Sequence, residues 1–527
     1  MRKLKIISIF LVIVLLLTTG CVKKKLSNTS VRNYLVYNME RLPKDLLMLD
    51  NNNIREQDLP LLLFEGLVDT DAEGEITPAI ADSWIVSEDK LTYSFHIRDN
   101  AAWSDGNNII STDFVDFFSR ILKEENNIYN NQLECIFGVK DYIDNKIDFN
   151  GVAVVAKDDK NLEIRLNYPC NYFLDIISQP VFALKKNFYN LRNWQDEYKK
   201  ITYTGAFIIE DIYGNGEVSL KKNNKYWNEE NILSNKLHIT NEETSAFALA
   251  KYKSGEIDAF LGLPTSEIES FDTGEKLVKG PIAQGIGLNF NLNKEGIIRN
   301  VRFRELISMG INKAVLEEEL NGVVKKSSSY VPKNIRGASQ SEYNIAKATS
   351  KEEIKQQLSG TYKGEAINIV YLNTDDNNKK IVDYIAKDLK GISLNVKSQG
   401  YNKEELDNVI DKGEYDILLS NYIGEYDSPL SFLEQWISSS KKNIYGYNNI
   451  EFDQLVLRGK VLSDVNEAQK SFEQAEKILL EDRAFIPIGL YNIIVCKKPY
   501  ISGIEVNKRG NVILKRINSS IQQENTP

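Results

Sequence analysis

Two carboxylates stand two residues apart in the stretch NYIGEYDSP, residues 421–429, among tyrosines and just before Pro429. Glu425 and Asp427 are residue types that acid–base catalysis, a metal site or an anchor for a cationic ligand group would use. A solvated turn would use them equally well. Their spacing disfavours a glycosidase dyad: residues i and i+2 of one short segment share a side, whereas the retaining mechanism needs carboxyls flanking a sugar, about 5–5.5 Å apart. Little else in the chain suggests catalysis. It has no G-x-S-x-G elbow, no H-E-x-x-H helix and no phosphate loop. Its two histidines, His96 and His238, fall in separate segments, which leaves no material for a histidine-based triad or a multi-histidine metal centre. The G-x-G at Gly285 and Gly287 lacks the third glycine and the following helix of a dinucleotide fingerprint. The reading is a binder rather than an enzyme, with no cofactor and no metal.

The elements that must position these residues alternate between strand-like and helix-like patterns, which predicts a mixed α/β chain. The segment LTYSFHIR, residues 91–98, alternates with the period of two that a half-buried strand requires. Ser104, Asp105 and Gly106 then supply turn chemistry, and Ser111 or Thr112 is placed to cap a helix carrying Phe114, Phe117, Phe118, Ile121 and Leu122 at helical spacing. Trp103 and Asp105 read as a turn with an aromatic plug. Ala468, Phe472, Ala475 and Leu479 repeat the helical pattern, followed by the apolar run AFIPIGLYNIIV. The last ten residues, NSSIQQENTP, read as frayed.

With 527 residues the chain is too long for one core, and two or three domains are expected. Its 42% hydrophobic and 26% charged residues are ordinary for a globular protein, and a net charge of −9 without a basic stripe argues against nucleic acid. Arg2, Lys3 and Lys5 precede an apolar run that ends at LTTGC, a basic and then apolar arrangement typical of a secretory signal. The small residues before Cys21 resemble a bacterial lipoprotein signal, which implies cleavage after residue 20 and lipidation of Cys21. Residues 21–30 then form a tether whose Lys23, Lys24 and Lys25 face anionic headgroups. Cys135, Cys170 and Cys496 are too few and too widely spaced for a disulfide framework; one pair or three buried thiols both fit.

The segment FEGLVDTDAEGEITPAIADSWIVSEDKLTYSFHIRDNAAWSDG, residues 64–106, closely resembles the signature region of family 5 solute-binding proteins, the oligopeptide and dipeptide receptors of ABC importers. The similarity continues in YKSGEIDAF (252–260), VRFRELISMGINKAVLEEELNG (301–322), YDILLSNYIGEYDSPLSFLEQW (415–436) and AEKILLEDRAFIPIGLYN (475–492). The resemblance implies a large, type II periplasmic-binding-protein-like fold with three domains in two hinged lobes. Domain I would comprise 31–64, 186–280 and 489–518, domain II would be an insertion at 65–185, domain III would span 281–488, and 519–527 would be a disordered tail. Ligand would be swallowed between domains I and III, which buries an extended peptide and satisfies its backbone internally.

Relatives carry an acid four residues before the proline of P-x-x-F-L, where it takes the peptide's α-ammonium group. The equivalent here is Glu425 rather than the usual Asp, which moves the ammonium about 1–1.5 Å further out. Asp427 is the fallback anchor. The position of a carboxylate-clamping Arg is Leu419, and the usual Trp is Tyr422; Asn421 and Ile423 complete the wall. On the opposing side, Asn52, Asn53 and Arg55 are candidate contacts, while Gly262, Gly285 and Gly287 would allow close backbone approach. The expected partners are a peptide ligand, ABC permease subunits and the membrane through Cys21. The expected state is a monomer on the extracellular face of the cytoplasmic membrane of a Gram-positive bacterium. The lost clamp at Leu419 keeps two alternatives open: a non-peptide solute, or a peptide-sensing or adhesion lipoprotein without transport.

Overall fold

The computed structural model describes residues 32–520 except 40, 51–52, 243, 272–276, 342, 344–349 and 374–375. The signal segment 1–20, Cys21, the tether 21–30, Asn52 and residues 521–527 lie outside the described residues.

Two long strands organise the molecule. Leu277–Phe290 and Phe485–Lys497 pair antiparallel at the centre of an 11-stranded sheet. On one side of them the sheet continues through Ile417–Ile423, Ile367–Leu372 and Val396–Tyr401. On the other side it continues through Ala259–Leu261, Leu35–Asn38, Lys236–Thr240, Val218–Lys222 and Phe207–Ile212. The apolar run foreseen at 484–495 is thus the second crossing strand, buried along most of its length as a central strand covered on both faces must be. Pro487 has no N–H to give the ladder, and it sits where the register slips between Ile286 and Gly287. A second irregularity falls between Pro281 and Gly285.

A separate four-stranded sheet, in the order Ala81–Val86, Thr92–Ile97, Asn161–Arg165, Val154–Ala156, carries the inserted segment. Tyr93, Phe95 and Ile97 point into its core, as the alternation predicts. The helix Ser111–Ile121 covers it with Phe114, Phe117, Phe118 and Ile121. Its cap differs from the expectation. Ser111 is already helical and its hydroxyl donates to the Asp158 carbonyl, while the Asp113 carboxylate accepts the Ile110 N–H at 3.0 Å. The same Asp113 carboxylate accepts the indole N–H of buried Trp103 at 3.2 Å, which fixes the W-S-D-G turn to the helix start. Asp105 closes that turn by accepting the Asn107 N–H at 3.0 Å, and Gly106 takes a φ of +91°.

The first three residues of the expected frayed end, 518–520, are paired. Asn518–Ser519 pairs with Ile501–Ser502, and the Ser520 N–H donates to the Tyr500 carbonyl. Cys135, Cys170 and Cys496 are all buried and none forms a disulfide with another. His96 pairs with Asp82 at 2.9 Å, and His238 stacks on Tyr34 at 4.0 Å between ring centroids, so both have structural surroundings.

The crossing pair is packed without slack. A Cβ on Gly287 would meet the Phe485 ring at 2.0 Å and the Ile486 carbonyl oxygen at 2.7 Å. Gly287→Ala is therefore expected to destabilise the protein by about 1–3 kcal/mol through overpacking. A urea midpoint unchanged from wild type would contradict this packing.

Candidate ligand site between the lobes

The strand Ile417–Ile423 delivers the acidic segment to a stiff turn. Gly424 passes so close to Phe432 that a Cβ would meet its ring at 2.3 Å. The Ser431 hydroxyl donates to the Tyr426 carbonyl at 2.9 Å, and Pro429 leads into the short helix Leu430–Leu433. Tyr426 is buried, donates to Glu434 at 3.0 Å and stacks on Tyr172 of the inserted segment at 5.3 Å. Glu425 and Asp427, on either side of Tyr426, are therefore held in fixed directions.

Both carboxylates are 8% exposed, and both are partnered. Glu425 Oε1 pairs with Lys442 Nζ at 2.9 Å, and Oε2 accepts from the Gln132 amide, which reaches across from the inserted segment. Gln132 is itself oriented by Gln179, whose amide donates to it at 2.6 Å. Burial works against the charge on Lys442, but the adjacent Glu425 outweighs it and holds the ammonium above the usual lysine range. Arg509 lies on the same side, with burial pushing its guanidinium down while Tyr129 and Glu425 support the charge.

Asp427 is the hub of a second network. Its Oδ1 accepts the Arg336 N–H at 2.8 Å; its Oδ2 lies 3.3 Å from Lys508 Nζ and 3.6 Å from Arg336 Nη2. Arg336 then spans to the inserted segment, pairing with Asp175 at 3.2 Å and donating to the Gly74 carbonyl at 2.8 Å. Gly74 has a φ of +79°, and a Cβ there would strike the Lys508 side chain at 2.7 Å. Glu476 anchors the segment that carries Arg336 by accepting the Tyr330 and Val331 N–H groups, both at 2.8 Å. Burial raises Glu476 to about 7. Burial likewise raises Asp175 to about 7, with Arg336 opposing and Asp427 and Glu75 adding to the rise.

Backbone acceptors complete the closure. Lys90 donates to the Ser463 carbonyl at 2.9 Å, Asn171 to Leu462 at 3.0 Å, and Tyr172 to Lys460 at 3.4 Å. The inserted segment is thus clasped onto the 330–472 region by side chains that reach across.

The other residues singled out from sequence have more local surroundings. Asn421 is exposed and accepts from the Tyr491 hydroxyl at 3.2 Å, and Ile423, two residues on, is half-buried. Leu419 is buried in the sheet core. Tyr422 packs on Tyr330 at 4.6 Å and on Phe485. Gly285 and Gly287 make room for Tyr422 and Phe485 respectively, so their close approach is to rings of the core. Gly262 turns the chain after Ala259–Leu261 with a φ of +84°. Asn53 caps a short 3₁₀ turn, and Arg55 pairs with Asp58 at 3.2 Å and donates to the Gly510 carbonyl. Sequence reasoning missed Gln132, Asp175, Arg336, Lys442 and Lys508. Gln132, Lys442, Arg336 and Lys508 meet the acidic segment directly and Asp175 through Arg336, all from other elements, and no local spacing marks such pairs.

Residues 75–444 match the family model described as bacterial extracellular solute-binding proteins, family 5 Middle. The periplasmic murein peptide-binding protein MppA of Escherichia coli is 25% identical over 470 residues, covering 86% of this chain and 87% of that protein. The dipeptide-binding protein DppE of Bacillus subtilis is 26% identical, covering 88% of each. Among solved structures, the Haemophilus influenzae OppA complex with RPPGFSPFR superposes with a TM-score of 0.77 at 22% identity, covering 93% of this chain and 99% of that one. The fold is the multi-domain α/β, type II periplasmic-binding-protein-like architecture. With the family matched across most of its length, the chain belongs to the family 5 extracellular solute-binding proteins.

Proposed function

We propose that this solute-binding protein captures oligopeptides between its lobes and delivers them to an ABC permease. It would work as a monomeric lipoprotein held by Cys21 on the extracellular face of a Gram-positive cytoplasmic membrane. The observation that carries the reading is Glu425: a buried carboxylate at the lobe junction, displayed by a rigid turn and already occupied by an ammonium group, that of Lys442. A peptide's α-ammonium has the same chemistry and would replace Lys442 with a charge-assisted hydrogen bond. Asn421 and Ile423 would border the ligand, and Asp427 would serve the closed state through Arg336 and Lys508. The domain boundaries expected from sequence are kept in this proposal. The names of the relatives support peptides as the solute class, since murein peptide, dipeptide and a nonapeptide appear among them.

One observation favours a second reading. With Lys442 and Gln132 on Glu425, the anchor is satisfied without a ligand amine, which suits a blocked peptide or a non-peptide solute.

Titration with a free-amine peptide and its acetylated form separates the two. The peptide reading expects Glu425→Gln to weaken the free amine by about tenfold or more, the worth of one charged hydrogen bond, and to spare the acetylated form. Lys442→Met removes the competing cation and is expected to tighten the free amine by a similar factor. Equal binding of both forms by wild type would exclude the amine anchor. Native mass spectrometry of residues 22–527 tests the solute class: co-purified peptides support the proposal, and a sugar, haem or metal alone would overturn it.

Asp175 sets a pH dependence. Its carboxyl is raised from 3.8 to about 7 where the lobes meet, so an open form that exposes it would release a proton between those values. Closure on a ligand should therefore take up a proton near pH 5.5, and the closed form should lose stability as pH rises toward 7. Calorimetry in buffers of different ionisation enthalpy is expected to show this uptake in wild type and its loss in Asp175→Asn.

A further inference from the structure

Cys135 and Cys170 are remote in sequence, yet the backbone of the inserted segment brings them together. Ile136 and Leu166 form an antiparallel bridge, and the Asn167 N–H donates to the Cys135 carbonyl at 2.7 Å. The Asn167 side-chain amide clamps the same strand, donating to the carbonyls of Glu134 at 2.9 Å and Ile136 at 3.2 Å. Beyond Tyr168 and Pro169, the Cys170 carbonyl accepts the Phe173 N–H at 3.1 Å and the Tyr93 hydroxyl at 3.5 Å. Both thiols are 1% exposed, and that of Cys170 hydrogen-bonds to that of Cys135. Tyr93, Tyr168 and Tyr172 each lie within electrostatic reach of both sulfurs, so one pocket holds the pair. Cys496 sits elsewhere, on the second crossing strand opposite Phe260 and beside Tyr252.

A thiol is a weak donor, so two thiols in contact gain little as a hydrogen bond. The same contact is what a disulfide requires, and extracellular proteins, the family's class, fold where disulfides form and persist. The position also matters for the ligand site. Cys135 follows the helix Asn130–Leu133, whose Gln132 reaches Glu425. Cys170 precedes Tyr172 and Asp175, which meet Tyr426 and Arg336.

We propose that Cys135 and Cys170 form a disulfide in the exported protein, and that it braces the two limbs by which the inserted segment touches the acidic turn. The reaction belongs to folding, before the thiols are buried. One cysteine thiolate attacks a sulfur of an external disulfide, carried by a small molecule or an oxidoreductase, and expels one thiolate. The other cysteine then attacks the mixed disulfide and expels the second. Two S–H bonds are lost and one S–S bond forms, while the external disulfide takes up the two electrons and two protons as a pair of thiols. Once the core has closed, burial reinforced by Cys135 holds the Cys170 thiol well above its usual range, so a pair still reduced at that stage is inert.

The test is to unfold residues 22–527 in guanidinium with reductant and refold them with oxidised and reduced glutathione. Free thiols are then blocked with iodoacetamide and the protein is digested without reduction. Mass spectrometry is expected to find the Cys135 and Cys170 peptides linked, about 2 Da below the sum of their reduced masses, and Cys496 alkylated. The same map on protein exported to an oxidising periplasm covers a failure to refold. Alkylation of both Cys135 and Cys170 in protein from the oxidising route, or linkage of either to Cys496, would overturn the proposal. Hydrogen exchange compares the oxidised and reduced forms of the same sequence, so no variant has to fold. Residues 130–133 and 173–177 should exchange at least about tenfold more slowly in the oxidised form, and identical rates would overturn the brace. None of these outcomes depends on what the main ligand is.

Discussion

Backbone hydrogen bonding between Leu277–Phe290 and Phe485–Lys497 joins two half-sheets into one, and the irregularities within that pair set where the sheet can bend. Where the ladder is continuous, rotating one half against the other would break several bonds together. Between Pro281 and Gly285, and again at Gly287 and Pro487, the register slips and fewer bonds resist. The acidic turn follows a strand paired with the first crossing strand, so motion at these slips carries Glu425 and Asp427 relative to Gln132, Asp175 and Lys508. Sheet continuity makes the halves one body, and its interruptions make the site movable.

The contacts that fasten the moving parts are polar, and most are charged. A buried carboxylate left without its partner is strongly destabilised, so the Asp427–Arg336–Asp175 chain favours a single docked arrangement over a range of looser ones. Its net worth as stabilisation is modest, because the same groups are well solvated when apart. This balance suits a receptor that must release what it holds. The stacked pair Tyr172 and Tyr426 adds apolar contact at the centre of the seam, flanked by the two carboxylate networks.

Short-range physics is legible in the sequence. The strand at 92–97, the helix starting at 111, the helix Val465–Glu481 and the W-S-D-G turn all follow from local period and turn chemistry. The cap at residue 111 shows the limit of that reading. Serine is a good cap in general, but Asp113 could serve both Ile110 and Trp103 at once, and the tertiary contact won. At the candidate site the acidic pair is legible in the sequence and the network around it is not. Glu425 and Asp427 announce themselves by type and spacing, whereas Lys442, Arg336 and Gln132 look like any surface residues until the fold brings them in. Gly285 and Gly287, expected to let backbone approach a ligand, make room for Tyr422 and Phe485, which the sequence places at distant positions. Arg55, a cation suggestive of ligand contact, is paired within its own turn to Asp58.

The strand Phe485–Lys497 has a further consequence because of when it is made. It lies between Leu277–Phe290 and Ala259–Leu261, yet it is among the last strands to leave the ribosome. Until it arrives, Ala259–Leu261 and Leu277–Phe290 each present an unpaired edge, and the two half-sheets have no shared centre. Closing a sheet through contacts so remote in sequence is slow and leaves strand edges exposed meanwhile. The chain must therefore spend its early life, during synthesis and any passage across a membrane, as separate halves awaiting their common strand. Chaperones that shield sheet edges would have most effect in that interval.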